Sequence, residues 1–282
     1  TLPFLKYRLS KFLVPLLFWS FIYCLQSCRE QHLPVTPVNV FRMILAGPAY
    51  YHLWFLYTLA ALYCLIPVFR IFIRHAKPEM IWYALALWFL MASLLPFCLR
   101  IFYKFTGEHI NWQPLVVLRG PAGYLIGGYI LGRLKPSKRT ALFCFGIYLL
   151  TAGLVAFGTM RLSLLQENYD GFLNDPVSSG MVVLSFSFFI SAKYWGDSLT
   201  KKSLWLKIAQ RVSPLTLGVF LIHPLLISYL FKKNAVTSFN FIYDPVFRIT
   251  LKVVLVFTLS ALCVWLISKV PVLKKTVSPA QR

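Results

Sequence analysis

Residues 50–70 read YYHLWFLYTLAALYCLIPVFR. A histidine and a tryptophan, His52 and Trp54, stand at the start, and no charged residue follows until Arg70. Roughly 20 apolar residues at 1.5 Å each are what a helix needs to cross a bilayer. One stretch therefore combines a titratable ring, an amphipathic aromatic and a membrane span.

The rest of the chain repeats the pattern. Of 282 residues, 59% are hydrophobic, 17% aromatic and only 13% charged, with a mean hydropathy of +0.69. A soluble domain carries about 25% charged residues. The apolar runs are continuous rather than alternating, which excludes a transmembrane barrel. The fold class expected is all-α, a polytopic transmembrane helix bundle treated as a single integral membrane domain over 1–282. Eight spans are predicted, at roughly 12–28, 53–73, 80–102, 114–132, 140–160, 177–195, 212–231 and 246–268.

The net charge of +21 first points to nucleic acid. Its distribution points elsewhere, because the basic residues sit in short clusters between apolar runs. With the N-terminus on the cytoplasmic side, inside loops hold 19 of the 29 basic residues and outside loops hold 8. Six of the eight acidic residues then fall outside. Eight spans with both ends of the chain cytoplasmic account for this bias; the inverted arrangement does not. No nucleic-acid partner is expected, and the lipid bilayer is.

Two outer connections are long, 29–51 and 161–176, the second holding Glu167, Asp170 and Asp175. They either touch an acceptor substrate or are ordinary solvated loops. The six cysteines form no CxxC pair and read as small buried hydrophobes; no metal site is expected. In the fourth span, LRGPAGYLIGGYILGR, Gly120-Pro121 predicts a break in the helix with a cavity beside it. Gly123/Gly127 and Gly128/Gly132 are two small-xxx-small pairs that let helices approach closely.

No GxSxG, Walker A, GxGxxG or HExxH motif is present. Six residues carry the candidate chemistry. His52, at the outer end of the second span, is either a general base or an interfacial ring satisfied by water or backbone. Trp54 either donates its indole N–H to a substrate or belongs to the aromatic belt. His223, in LGVFLIHPLLI, is an ionisable group at membrane depth with Pro224 straining the helix beside it. Arg8 and Lys11 share a helix face at i, i+3, where positive charge opposes the macrodipole. Lipid phosphates, the positive-inside effect or a phosphate-rich cofactor would compensate. Arg119, inside the fourth span, either pairs, snorkels or holds an anionic group.

Four patches together resemble one family. They are the opening KYRLSKFLVPLLFWSFIY, then HLWFLYTLAALYCLIPVF, then YLIGGYILGR, then LTLGVFLIHPLLI. In that order they resemble the bacterial membrane acyltransferase-3 family, most closely its short members such as those that O-acetylate enterobacterial common antigen. The resemblance implies about ten spans, cytoplasmic acyl-CoA as donor, and a sugar acylated at or beyond the membrane. It implies no permanently bound cofactor, with acetyl-CoA as the consumed acyl donor and an envelope saccharide as the acceptor. It places the protein in the bacterial cytoplasmic (inner) membrane. The family's Arg-x-x-Arg becomes Arg8 and Lys11 here, so charge is kept and the bidentate fork is lost. The family's leading arginine–histidine motif lies in its first span. The chain starts at Thr1 without that segment, so the main catalytic histidine is expected upstream of Thr1, and the chain as written is expected to lack it.

The resulting expectation is an integral membrane O-acyltransferase. Arg8 and Lys11 hold acyl-CoA phosphates, His52 and Trp54 line the acceptor side, and Arg119 or an indole N–H steadies the thioester carbonyl. Two other readings share the physics. A transporter or flippase also uses broken spans and intramembrane Arg and His. A scaffold of a polysaccharide assembly complex would tolerate substitutions at Arg8, His52 and His223.

Overall fold

The structure, a computed structural model, describes residues 2–108, 110, 120–199, 203–232, 239 and 244–277. Every regular element among them is helical. Helix α1 spans Leu2–Glu30, α2 Pro37–Ala46 and α3 Trp54–His75. Then come α4 (Pro78–Phe89), α5 (Leu95–Thr106), α6 (Ala122–Arg133), α7 (Lys138–Leu165) and α8 (Ser179–Ser198). The chain closes with α9 (Leu204–Val212), α10 (Thr216–Ile227), α11 (Pro245–Ser268) and α12 (Pro271–Val277).

Six segments are long and apolar enough to cross a membrane: Lys11–Glu30, Tyr51–His75, Pro78–Thr106, Lys138–Leu165, Leu204–Phe231 and Pro245–Ser268. Their outward faces are apolar. On α7, Phe143, Leu150, Leu154, Phe157 and Leu164 are all exposed, a surface that water does not tolerate and lipid does. This is a multi-pass membrane protein. The two other expected spans are also helical but differ in kind. α6 has 12 residues, and the residues expected to precede it, with Arg119 among them, lie outside those described. α8 is 20 residues long but carries serines 179, 185, 187, 191 and 198, with a Lys193–Asp197 pair at its end.

The chain divides into two packing units, Thr1–Val68 with Lys201–Arg282, and Phe69–Thr200. In the first, α1 carries Leu16, Trp19 and Tyr23 into a core shared with Leu53, Leu56, Leu221, Val264 and Val277. Two side-chain bonds pin it: Trp19 Nε1 donates to the Thr276 carbonyl (2.9 Å) and the Tyr23 hydroxyl to the Leu221 carbonyl (2.6 Å). At membrane depth such bonds use carbonyls that no water reaches. Within loop 29–51 the chain forms α2. Thr36 caps it through the Asn39 N–H and Pro37 starts it, the residue types that start helices.

In the second unit α4, α6 and α8 share a core of Ile81, Leu85, Trp88, Ile126, Ile130 and Val182. Gly120 adopts φ 148°, and Pro121 is the N-cap of α6. The Gly-Pro pair therefore starts α6 instead of kinking a longer helix. One expected glycine pair is used and the other is not. A methyl at Gly123 would strike the Trp88 ring and one at Gly127 the Phe186 ring, whereas Gly128 and Gly132 face open space.

Candidate functional site

In the first unit, three pieces of chain converge: Tyr23 of α1, Tyr50–Leu53 at the entry to α3, and Phe220–Pro224 of α10. Residues Tyr51–Leu53 form a 3-10 turn that continues into α3. The turn points His52 inward, leaving it 5% exposed. Its ring meets Tyr23 at 4.8 Å, Phe220 at 5.3 Å, Tyr51 and His223 at 5.5 Å, and Tyr50 at 5.8 Å between centroids, all edge-to-face. Tyr23 and Tyr50 stack on each other at 4.6 Å.

Sequence accounts for the second histidine. In a helix the N–H of residue 224 would bond the carbonyl of residue 220, but Pro224 has no N–H. The Phe220 carbonyl is thus left without its helical donor. His223 fills the vacancy: its Nδ1 lies 2.8 Å from the Phe220 oxygen. A carbonyl can only accept, so Nδ1 carries the proton and Nε2 keeps its lone pair. The dipeptide His-Pro both frees the carbonyl and supplies the group that satisfies it.

His52 has no such partner. Both of its ring nitrogens are buried and unbonded among the described residues. A buried polar atom without a partner costs about 1–3 kcal/mol, and such atoms mark places where a ligand completes the bonding.

A cleft of about 740 Å³ opens beside this cluster, between the C-terminal ends of α1 and α10. Two local devices shape it. α1 ends with the Leu33 N–H bonded back to Cys28 (2.9 Å) and His32 in left-handed conformation, φ 53°. This is a Schellman end made without glycine. α10 ends in a π turn, Ser228–Lys232, the kind of bulge that re-aims side chains. Between them Gln26 Nε2 donates to Glu30 Oε1 and to Ser228 Oγ, each at 3.1 Å. Ser228 Oγ in turn donates to Glu30 Oε1 at 3.3 Å. Beside the histidines, burial, with the charge of Glu30 added, pushes the Tyr50 phenol pKa up.

The second unit has its own cleft of about 690 Å³, lined by Ser93, Phe97, Arg100, Gly120, Asp170 and Phe172 among others. The expected cavity beside Gly120 is this one. Asp170 dominates it. The carboxylate takes Arg100 Nη2 (3.0 Å), Gln166 Nε2 (2.9 Å) and the Phe172 N–H (2.9 Å), while its own N–H goes to Ser163 Oγ (3.0 Å). Burial by itself would raise the Asp170 pKa. The Phe172 N–H, the Arg100 charge and the Gln166 amide outweigh it and hold the carboxyl below its ordinary value.

The expected site residues therefore separate. His52 and His223 come together. Trp54, 41% exposed, points away from them and touches Phe55, as a belt residue would. Lys11 is half-buried on α1. The side chain of Arg8, and Arg119 entirely, lie outside the described residues. Sequence reading passed over Tyr23, Gln26, Glu30, Tyr50, Phe220 and Ser228. A signal existed for part of the set: positions 23, 26 and 30 share one face of α1.

A family model described as an acyltransferase domain matches residues 1–267. No curated protein and no solved structure matches the chain.

Proposed function

The chain belongs to the acyltransferase-3 family, and on that footing we propose that it moves an acetyl group from cytoplasmic acetyl-CoA to a hydroxyl of a cell-envelope saccharide. The observation that carries the reading is His52: a buried imidazole, both nitrogens unbonded among the described residues, packed against a second imidazole.

The chemistry follows from the groups. An acceptor hydroxyl gives its proton to an imidazole nitrogen as its oxygen attacks the thioester carbonyl. The tetrahedral intermediate collapses, the C–S bond breaks, and the imidazolium returns the proton to the leaving thiolate. The products are the O-acetyl ester and free CoA thiol. In this chain His52 is the residue assigned to the acceptor side. His223 Nε2, its tautomer fixed by the Phe220 carbonyl, backs it across the 5.5 Å gap between the rings. Arg8 and Lys11, at i, i+3 on α1, suit the CoA phosphates by charge, although α1 starts at Leu2 and places them beyond its first turn, so the expected opposition to the macrodipole does not arise. On the charge bias of the loops we assign those residues, and both ends of the chain, to the cytoplasmic side; a bacterial inner membrane is what the family resemblance implies. On the same bias we assign His52 and the α1/α10 cleft to the far side.

The test is transfer from labelled acetyl-CoA to envelope polysaccharide. Membranes would hold either this chain or the protein expressed from its own first methionine. Label with either form supports the reading. Consumption of acetyl-CoA with neither form labelling polysaccharide rejects the acceptor. No consumption at all favours a transporter.

A further inference from the structure

In the α1/α10 cleft three polar side chains bond one another and leave one acceptor atom over. Gln26 offers both amide hydrogens to Glu30 and Ser228. A carboxylate can only accept, which fixes the amide with its nitrogen toward Glu30 and its oxygen away. That oxygen, Gln26 Oε1, is buried and unbonded among the described residues. The ring of bonds Gln26–Ser228–Glu30 thus holds three side chains still and leaves an acceptor atom needing a donor. The remaining lining is of two kinds. Ile22, Leu25, Leu225 and Leu226 are apolar, and Arg29, His32 and Tyr229 supply polar or aromatic edges.

We propose that this cleft is the subsite for the polyhydroxylated acceptor, with Gln26, Glu30 and Ser228 holding its hydroxyls. The inference rests on the acyl-transfer reading and adds where the acceptor sits and what selects it.

Three observations converge. First, the unmet need is for O–H or N–H donors, and a sugar supplies several on adjacent carbons. A phosphate, which only accepts, would face Glu30 and leave Gln26 Oε1 unpaired. Second, about 740 Å³ is within the range of small-ligand pockets, and its apolar side suits the C–H face of a pyranose. Third, the cleft and the histidine cluster are built on the same two helices: Gln26 and Glu30 follow Tyr23 along one face of α1, and Leu225, Leu226 and Ser228 follow His223 on α10 and its π turn.

The test uses the protein expressed from its first methionine in lipid vesicles, with purified envelope polysaccharide of the producing cells as the titrated acceptor. Gln26→Met removes the amide while keeping its length, and Ser228→Ala removes only the hydroxyl, so neither leaves a large cavity. The expected result in each is an acceptor KM raised about 3–10-fold, the size of one hydrogen bond. The KM for acetyl-CoA and the rate at saturating acceptor stay within about twofold, since neither side chain is asked to act in the chemical step. An unchanged acceptor KM in both variants overturns the subsite, as does a rise in the acetyl-CoA KM instead. If the unmutated protein consumes acetyl-CoA without labelling polysaccharide, the acceptor reading itself fails and the subsite falls with it.

Discussion

The two clefts are built from the same parts and finished differently. In the first unit α1 ends in a Schellman turn at left-handed His32, and a π turn follows α10. In the second, α7 ends the same way at left-handed Glu167, with the Asn168 N–H bonded to Ser163 (3.2 Å), and a π turn at Leu90–Leu94 joins α4 to α5. Beyond these shared devices the polar groups diverge. Asp170 receives three donors, and its loop is fastened by them. Arg100 Nε is left over, but the same guanidinium pairs through Nη2 and lies 5.3 Å over the Phe172 ring. His52 keeps both ring nitrogens, and Gln26 its amide oxygen, buried and unbonded among the described residues. A satisfied network holds structure; an unsatisfied one is held in reserve for a ligand. The comparison teaches that the first cleft is the place to look for chemistry and the second a place where the fold is stapled.

The largest effect should come from removing the unpaired imidazole. His52→Phe keeps a flat ring among the surrounding aromatics and should cut acetyl transfer by about 100-fold or more, the usual worth of a general base. Stability should not fall, and should rise by up to about 1 kcal/mol, because an unsatisfied buried group is gone. Transfer and melting temperature of purified protein report both. A parallel loss of both would place His52 with Asp170, as structure.

Next in size is Pro224→Ala. It gives the helix back the N–H that Phe220 lacks and so competes with His223 Nδ1 for that carbonyl. Loosening a ring's orienting partner costs on the order of tenfold or more in activity. Transfer should drop by about that factor with the melting temperature unchanged or higher, since a helix interior prefers alanine.

The second cleft should respond the opposite way. Asp170→Asn should lower stability by about 1–3 kcal/mol, discounted because Arg100 is 36% exposed and its charge partly hydrated. Transfer per folded molecule should not change. The pH dependence has a definite sign. The Asp170 pKa is held below the ordinary value of an aspartate. Its stabilisation is therefore complete above that value in the unfolded chain and lost as pH falls through the lower folded one. An acid titration of the melting temperature should show this loss in the native protein and not in Asp170→Asn.

Smaller effects separate helix faces. Gly127→Ala should cost about 1–3 kcal/mol by driving a methyl into Phe186, while Gly128→Ala, facing open space, should gain up to about 1 kcal/mol. Smallest of all, His32→Gly should relieve about 1 kcal/mol of left-handed strain. A weaker acceptor affinity alongside that gain would tie the strain to binding; unchanged affinity would make His32 a plain helix end.

Much of the fold was legible because bilayer-crossing helices advertise themselves in uninterrupted apolar runs. The stretch from Tyr51 to His75 is one such helix, and six of the eight predicted spans meet the length and apolarity it sets. α2 was missed, although Thr36-Pro37 is a helix start, because three prolines made 29–51 read as a connection. The glycines of α6 were half legible: spacing marks Gly123/Gly127 and Gly128/Gly132 alike, and only the neighbours Trp88 and Phe186 distinguish them. At the site, His52 and His223 stood out as rare titratable rings in apolar sequence. Their partners did not, since the bond from Tyr23 to Leu221 crosses 198 residues and that from Gln26 to Ser228 crosses 202. No local pattern encodes such pairings. Trp54 stood out for its position and proves to face outward.

The measurement that bears most directly on the account is labelled acetyl transfer by His52→Phe beside the unmutated protein, each normalised to folded material by melting curve. The account predicts transfer reduced about 100-fold or more in a protein as stable as the original. Undiminished transfer from a folded His52→Phe protein would contradict it.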